Sequence, residues 1–406
     1  MDSVVITGIG SITPMGHTWE QSWHNLLAGT CGLSLLKRTA DDKLPPTVVG
    51  EIQNYRPEDH FPHREATRLD RHIQYALVAL RDALQNARLD TSEVIPARGG
   101  VITGVGAFGI ETVYGLMASY QTEGVAALRP WHMGNVISST AAGAVCLATG
   151  FQGFSMNIQT ACASSTTGVG MARQMIQSGA YDVILVVGAE APLSPPGLAA
   201  WLSMAAMSIS TNPGRSCRPF HKDRDGLVMS EGATCLVLES ESHARARGAT
   251  PWAKVAGYGH SNDAYAPYSP SSAGQVMAVM NAFMDAGIQP EDIGYVNTHG
   301  TATIMGDDVE LATLISTFGT GSSTPLMGAT KSMTGHMLGA VGALEVAICA
   351  AALTHKQVPP NLNLEKPIGD LNWVPAVATP TPQLRYTLSQ NFGFGGNNAI
   401  VILQAA

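Results

Sequence analysis

Charged side chains are scarce in this sequence. They make up 13% of its 406 residues, about half of the ~25% that is usual for soluble domains. Positive charge is the rarer sign, with 23 Lys and Arg against 31 Asp and Glu and a formal net charge of −8. Because a nucleic-acid partner needs a basic patch or run, the composition argues against one. The 45% hydrophobic content excludes a disordered chain and predicts a large core with an oligomer interface.

Paired cysteines and targeting segments are also lacking. The six cysteines are scattered without a CxxC pair, which argues against a zinc site or disulfide framework and suits a reducing compartment. The N-terminus shows no basic segment followed by an apolar one, so we expect a cytoplasmic protein. Residues 337–353 are almost wholly apolar, yet they carry Glu345 and fall short of the ~20 residues of a spanning helix. We therefore predict a helix buried in the core and no membrane association.

Strand-like and helix-like segments alternate along the chain. Apolar runs predict strands at 4–8, 99–104, 183–187, 235–238 and 293–296, and helical spacing predicts helices at 19–28, 68–87, 139–149 and 167–178. A helix end followed by a strand occurs at 82–103 and again at 283–296. This repetition predicts a layered α/β fold with a duplicated core, divided into halves at residues 1–240 and 241–406.

Cys162 lies at the junction between an apolar alternating run and a helix-like segment. Unpaired N–H groups at a helix start carry partial positive charge, so we expect the thiol pKa to be lowered and the nucleophilic thiolate favoured. The alternative is a small buried hydrophobic residue, which is the commoner role of a single cysteine. The motif alone leaves both interpretations open.

Three further motifs carry residues that are suited to catalysis. A strand leads to His299 in a Gly/Thr loop, and a second motif places Lys331 and His336 before the apolar helix. Three glycines within 391–398 permit close backbone approach. Each has a simpler explanation, namely a turn histidine, a solvated lysine and a bend in a strand. Glu345, inside an apolar helix, needs a partner, and Lys331 is the nearest candidate in sequence.

Together these motifs resemble the elongating β-ketoacyl-acyl-carrier-protein synthases, which are condensing enzymes of the thiolase fold. The resemblance runs through the whole chain in order, at residues 5–10, 160–164, 218–220, 225–226, 231–232, 299–303, 306–307, 331–336, 360–362 and 391–396. It implies a five-layered α/β/α/β/α fold with duplicated halves. It also implies decarboxylative Claisen condensation of an acyl thioester with malonyl-acyl carrier protein, which extends a fatty-acyl or polyketide/polyene chain by two carbons. No cofactor or metal is implied, since the substrates ride on the phosphopantetheine of the carrier protein.

The resemblance also assigns roles by position. Cys162 corresponds to the nucleophile that receives the acyl chain, in the N-terminal half. His299 and His336, in the C-terminal half, correspond to the residues that promote malonyl decarboxylation and stabilise the enolate. Lys331 corresponds to a structural lysine, here paired with Glu345.

Other positions correspond to the substrate path. Thr301 and Thr303 match the pair that grips the phosphopantetheine arm. The N–H groups of Cys162 and Phe394 match the oxyanion hole, where fixed donors meet developing charge. The acyl pocket and its gate match Ala107, Phe108 and the side chain of Phe394.

Related families differ at these positions. Thiolases carry a second catalytic cysteine in the C-terminal glycine-rich motif, which has none here, and initiating or chalcone-type synthases use Cys-His-Asn. Chain-length factors keep the fold but lack the nucleophile, so Cys162 favours a catalytic subunit. The alternative is a non-condensing partner or scaffold subunit of the chain-length-factor type.

Some residues depart from the family pattern. His221, Ala266, Tyr268 and Ile209 stand where charged or other polar residues are usual, and Ala107 replaces a larger aliphatic residue. A smaller pocket residue leaves room for a longer or stiffer chain, which favours a polyketide or polyene ketosynthase. We expect an acyl carrier protein as partner, and a homodimer or a heterodimer with a chain-length-factor-like subunit. Candidate basic residues for docking the acidic carrier are Arg64, Arg68, Arg71 and Arg215.

Overall fold

A computed structural model of the chain describes residues 2–39, 41–107 and 109–406. The strands are β1 (Val4–Ile12), β2 (Ser34–Leu35), β3 (Val48–Val49), β4 (Gly99–Gly104), β5 (Ser155–Ile158), β6 (Val183–Glu190), β7 (Gly232–Ser240), β8 (Ala253–Asn262), β9 (Tyr295–Asn297), β10 (Leu326–Gly328), β11 (Gln357–Val358), β12 (Thr379–Pro380), β13 (Tyr386–Gly393) and β14 (Asn397–Ala405). The helices are α1 (Trp19–Leu27), α2 (His63–Ala66), α3 (Arg71–Ala87), α4 (Ile110–Glu123), α5 (Pro130–Val136), α6 (Thr140–Thr149), α7 (Ser164–Gln177), α8 (Pro195–Ser203), α9 (Pro213–Ser216), α10 (Glu241–Ala246), α11 (Ser272–Ala286), α12 (Ile304–Phe318), α13 (Lys331–Thr334) and α14 (Val341–His355).

Ten strands form one mixed sheet in the order β10-β9-β13-β14-β8-β1-β7-β6-β4-β5. Counted outward from its middle, each half has the same plan: β1-β7-β6-β4-β5 in one and β8-β14-β13-β9-β10 in the other. In both halves the first two pairings are antiparallel and the last two are parallel. The halves meet where Val5 and Ile6 pair with Lys254 and Ala253. The duplicated core is therefore confirmed, while the boundary at residue 240 stays a prediction.

Helices cover both faces of each half and also separate the two halves. α7 and α14 form the central layer, because each contacts strands of both halves. α3 and α6 pack on the outer face of the first half, and α11, with α12 against it, packs on that of the second. The five-layered α/β/α/β/α architecture predicted from the sequence is confirmed.

The apolar run at 337–353 forms the core of the central layer. A short turn at Leu338–Ala340 leads into α14, and all residues of 341–353 are buried. The stretch Leu338–His355 meets the length and composition of a membrane span, but 89% of it is buried inside the protein. A helix that is apolar all round is what burial between the two halves of the sheet requires.

Several element boundaries differ from their prediction. The helix predicted at 68–87 begins only at Arg71, because the Asp70 side chain caps its start by accepting a hydrogen bond from the backbone N–H of His72. α7 begins at Ser164, three residues before its predicted start, so that Cys162 lies in the turn that opens the helix.

Candidate active site

Cys162 lies on a strained turn between β5 and α7. Ala161 adopts φ 51°, the left-handed region that non-glycine residues rarely occupy. Ser164 holds the turn, since its Oγ donates to the carbonyl of Ala161 at 2.6 Å and accepts from the N–H of Thr160 at 3.0 Å. Strain of this kind persists only where the surrounding structure enforces it, and it clusters at functional sites. The turn presents the thiol at the wall of a cavity while keeping it 8% exposed.

His336 contacts the Cys162 thiol directly. Its Nε2 lies 3.0 Å from Sγ. The backbone of His336 is fixed on both sides, because its N–H donates to the carbonyl of Val228 at 2.7 Å and its carbonyl accepts from Ser230 at 3.0 Å. The imidazole is therefore held against the thiol by main-chain pairing.

His299 follows β9 and is held by a buried carboxylate. The N–H groups of His299 and Gly300 donate to the two oxygens of Glu310 at 2.6 and 2.7 Å, and Lys331 Nζ donates to the carbonyl of His299. The His299 and His336 rings meet edge to face, with centroids 5.4 Å apart. Residues from both halves of the fold thus converge, as the sequence predicted for Cys162, His299 and His336.

Burial dominates the electrostatics of the three side chains. It raises the pKa of Cys162 to about 12, with Lys331 opposing the shift. The expectation that the helix start lowers this pKa is therefore wrong, because loss of water disfavours the thiolate more than the local charges favour it. Burial, followed by the nearby Lys331, also brings the pKa values of His299 and His336 well below their usual range. The set comprises a neutral thiol and two neutral imidazoles at pH 7.

Lys331 and Glu345 form a fully buried ion pair. Nζ lies 2.5 Å from Oε1, and both side chains are 1% exposed. Burial raises the pKa of Glu345, and the charge of Lys331 opposes that shift. The predicted partnership is present, and it lies behind the histidines and outside the cavity lining.

The three side chains open onto a cavity of about 340 Å³. Thr301 and Thr303 line it with their hydroxyl oxygens 2.9 Å apart, which suits gripping a polar arm and leaves that role a prediction. Most of the remaining wall is apolar or aromatic, and it includes Trp201, Met204, Tyr268, Met305, Phe392 and Phe394.

Phe394 lies at the mouth of this cavity between two aromatic rings. Trp201 stacks on it with centroids 5.6 Å apart, and Tyr268 meets it edge-on at 5.5 Å. The neighbouring Gly393 packs on the nucleophile turn, where a Cβ would come within 2.7 Å of the Thr160 carbonyl and 3.1 Å of the Cys162 nitrogen. The strand end therefore lies against the Cys162 amide, and an oxyanion hole built from the Cys162 and Phe394 N–H groups stays a prediction.

Of the predicted acyl-pocket residues Ala107 and Phe108, the structure describes only Ala107. Ala107 lies outside the cavity lining and belongs to an apolar cluster with Leu198 and Leu338. Its N–H donates to the buried carboxylate of Glu190 at 3.0 Å. Phe108 lies outside the described residues.

The four arginines predicted to dock the carrier protein differ in their exposure and in the contacts that they already make. Arg68 lies over the ring of Trp131 at 4.8 Å. Arg71 is half-buried, 3.8 Å from a Glu111 oxygen. Arg64 and Arg215 are exposed.

Sequence reasoning gave no role to several residues that shape the site. The Asp307 carboxylate accepts from the N–H groups of Phe220, Thr301 and Ala302, and Glu310 holds the His299 loop. These two acids lie one helical turn apart just after the loop, and this spacing was the feature of the sequence that could have identified them. Glu190 accepts from Gly106, Ala107 and Gly339, and only its burial identifies it. Asn391 belongs to the glycine-rich motif at 391–398, and no function was assigned to this residue from the sequence.

The catalytic set also has metal-binding geometry. The sulfur and one imidazole nitrogen from each of His299 and His336 lie within 4.8 Å of one another. Thiolate and imidazole groups are zinc ligands. The contact between the thiol and an imidazole explains the same arrangement through proton transfer, and we assign no metal.

Comparison with known proteins identifies the family. Residues 1–244 match the N-terminal domain of β-ketoacyl synthases and residues 252–365 match their C-terminal domain. The chain is 37% identical to 3-oxoacyl-[acyl-carrier-protein] synthase 2 of Staphylococcus aureus (strain COL), covering 99% of this chain and 98% of that protein. It is similar to the structure of the ishigamide ketosynthase/chain length factor, with a TM-score of 0.91, 30% identity and coverage of 100% and 99%. It is also similar to a ketosynthase in complex with its type II PKS acyl-carrier protein, with a TM-score of 0.89, 27% identity and full coverage of both chains. The chain belongs to the β-ketoacyl synthase family of acyl-transferring condensing enzymes.

Proposed function

We propose that this enzyme is a 3-oxoacyl-[acyl-carrier-protein] synthase in which Cys162, His299 and His336 carry out the chemistry. The observation that carries the proposal is the convergence of these three buried side chains on one cavity, with Nε2 of His336 3.0 Å from the thiol. Relatives named for this reaction match the full length of the chain.

Acyl transfer comes first. Sγ of Cys162 attacks the thioester carbonyl of the incoming acyl carrier protein, and its proton passes to the neutral His336 imidazole. The bond between that carbonyl and the phosphopantetheine sulfur breaks, and the departing thiolate takes up the proton. N–H groups of Cys162 and Phe394 would meet the transient oxyanion. Thr301 and Thr303 would position the arm.

Condensation follows on the malonyl unit. The bond to the carboxylate carbon breaks, CO₂ leaves, and the electron pair forms an enolate whose oxygen accepts hydrogen bonds from Nε2–H of the two imidazoles. For His336 this follows a shift of its single proton from Nδ1, which has no hydrogen-bond partner among the described residues, to Nε2 after the thiol has been acylated. Neutral imidazole is a suitable donor here, because it stabilises the developing charge without first being ionised. The enolate carbon then attacks the acyl-Cys162 carbonyl, the cysteine sulfur leaves, and one proton is taken up from solvent through His336. The product is a chain two carbons longer on the carrier protein.

Intact-mass spectrometry tests both steps. Incubation with acyl-carrier protein should add one acyl group to the wild type and to Cys146→Ala, a control at a partly exposed cysteine, but none to Cys162→Ala. His299→Ala should acylate yet release no CO₂ from malonyl-carrier protein, and His336→Ala should acylate slowly and also fail to release CO₂. Absence of an adduct from every donor would favour the non-condensing alternative.

The acyl chain that suits this site is unsaturated or otherwise stiff. The aromatic rings of Trp201, Tyr268 and Phe394 at the cavity mouth offer flat surfaces to a conjugated chain. This supports a polyketide or polyene ketosynthase over a housekeeping fatty-acid enzyme. Equal elongation of saturated medium chains and conjugated chains of the same length would contradict it.

A second subunit fits at the end of the sheet. β5 is the last strand of the order, so one of its edges is free for pairing. Residues 110–149, which include α4 to α6 and contact β5 through α6, carry exposed large hydrophobic residues, namely Met117, Tyr120, Met133, Ile137 and Leu147. We propose a dimer through this face in the cytoplasm, with a second copy or a chain-length-factor relative. For a homodimer, light scattering of the purified protein should give twice the mass of one chain. For a heterodimer, it should give the mass of one chain until the chain-length-factor relative is added.

A further inference from the structure

We propose that Asn391 is a positioning residue that fixes the tautomer of His299, so that Nε2 carries the proton and faces the substrate. The inference rests on the proposed function, because it names how His299 becomes a hydrogen-bond donor to the enolate oxygen.

The orientation of the Asn391 amide is set by two neighbours. Its Nδ2 lies 2.7 Å from Oε2 of Glu345, and the Oγ1 hydroxyl of Thr166 donates to its Oδ1. Glu345 pairs with Lys331, whose Nζ lies 2.5 Å from its Oε1, and a cation at this distance favours the carboxylate form. A carboxylate only accepts hydrogen bonds, so the atom facing it must be the NH₂ group. Flipping the amide would place its Oδ1 against the Glu345 carboxylate, a contact between two acceptors with no proton between them.

The same NH₂ group determines the proton position on His299. Nδ1 of His299 lies 3.3 Å from Nδ2 of Asn391. Because that nitrogen is a donor, Nδ1 must accept, and a neutral imidazole then carries its single proton on Nε2. His299 lines the cavity together with Cys162 and His336. The donor therefore faces the space in which the enolate forms.

Asn391 also joins elements of the two halves of the fold. It belongs to β13 of the second half, and its partner Thr166 lies in α7, the helix that follows the nucleophile turn. One side chain thus links that helix, the buried ion pair and the histidine. Other polar groups around His299 are Glu310 on its backbone N–H, Lys331 on its carbonyl and His336 at its edge. Among these contacts, the Asn391 amide is the one made to the imidazole nitrogen itself.

Nitrogen NMR of protein labelled with ¹⁵N-histidine tests the tautomer directly, with His299 assigned by comparison with His299→Gln. In the wild type we expect a protonated Nε2 and an unprotonated Nδ1 on His299. A protonated Nδ1 would overturn the proposal, whatever the enzyme's substrate. This readout stands even if Cys162 takes no acyl group, a result that would instead count against the proposed function.

Kinetics of Asn391→Ala supply the second test. Loss of the donor should lower malonyl decarboxylation at least tenfold while acylation of Cys162 stays within about twofold. The control Ser389→Ala removes another buried polar group from β13, one whose hydroxyl forms no hydrogen bond with the described residues, and should leave both steps unchanged. Unchanged decarboxylation in Asn391→Ala, or an equal loss in Ser389→Ala, would refute a specific role. Should Asn391→Ala not fold, the nitrogen spectrum of the wild type decides alone, and a protonated Nδ1 on His299 overturns the proposal.

Discussion

Nε2 of His336 lies 3.0 Å from Sγ of Cys162, although 174 positions separate the two residues in the chain. Both groups are neutral at pH 7, since burial raises the pKa of the thiol to about 12 and lowers that of the imidazole. The site therefore holds no preformed ion pair between thiolate and imidazolium, and the nucleophile loses its proton during attack.

Alkylation of Cys162 by iodoacetamide should report this state. Below its pKa the thiolate fraction rises tenfold per pH unit, so the logarithm of the rate should climb with unit slope from pH 6.5 to 9.5. The modified residue is identified by peptide mass spectrometry, with Cys162→Ser as control. A rate that levels off below pH 8 would show a stabilised thiolate and contradict the neutral pair.

Removing one member of the Lys331–Glu345 pair should be costly. Lys331→Met leaves the Glu345 carboxylate buried without its cation, which costs about 3–5 kcal/mol in the free energy of unfolding. The double variant Lys331→Met/Glu345→Leu should regain most of this loss, because no uncompensated charge remains. Thermal unfolding of the two single variants and the double variant measures the coupling. Additive losses would mean that the two charges do not depend on each other.

Gly393→Ala should impair acyl transfer more than folding. A Cβ at this position meets the Thr160 carbonyl at 2.7 Å and the Cys162 nitrogen at 3.1 Å, so it pushes the strand end away from the nucleophile turn. Loss of an oxyanion-hole donor lowers rates by about 10²–10³, and we expect acylation to fall in this range. Gly214→Ala, whose Cβ meets only ordinary contacts, should acylate normally. Normal acylation in Gly393→Ala would place the oxyanion donors elsewhere.

Tyr268→Leu should relax selectivity at the gate. The ring of Tyr268 meets Phe394 edge-on, and an aromatic pair contributes about 0.5–1.5 kcal/mol beyond its buried area. The preference in kcat/KM for a conjugated over a saturated acyl chain should fall about 2- to 10-fold. Tyr265→Leu changes an exposed ring nearby, at 73% exposure, and should keep the wild-type preference. Equal effects of the two substitutions would argue against a role of the Phe394 contact.

Stability should fall as pH rises from about 4 to 7. Burial raises the pKa values of Glu190, Asp307 and Glu310 to about 7, above the values near 4 that apply in the unfolded chain. The unfolded state therefore loses its protons at lower pH than the folded state. The free energy of unfolding decreases until the pH passes the pKa values of the folded state. Melting temperatures across this range check the slope, and Glu190→Gln should make it shallower. A slope of opposite sign would show that these carboxyls ionise at ordinary pH in the folded protein.

Apolar periodicity predicted the layered α/β fold because it is a local signal, and the family resemblance carried by short motifs implied the convergence of Cys162, His299 and His336. Features that depend on distant contacts were not predictable in this way. The pKa of Cys162 was predicted in the wrong direction, since the helix start is visible in the sequence whereas burial between the two halves of the sheet is not. Glu310 and Asn391 contact His299 only after the chain has folded, and nothing in their neighbours along the chain reveals the partner. The stacking of Trp201 on Phe394 joins segments almost two hundred residues apart and has no sequence signature.

The position of β13 and β14 in the sheet has a consequence for synthesis. These strands follow every other element in chain order, yet they lie inside the sheet between β9 and β8. Asn391, Gly393 and Phe394 therefore join the site only after residues 386–405 have left the ribosome. Until then Cys162 lacks the proposed oxyanion donor of Phe394 and an oriented His299. A nascent or prematurely truncated chain carries the nucleophile without being able to use it, so loading of acyl groups begins only when these strands are in place.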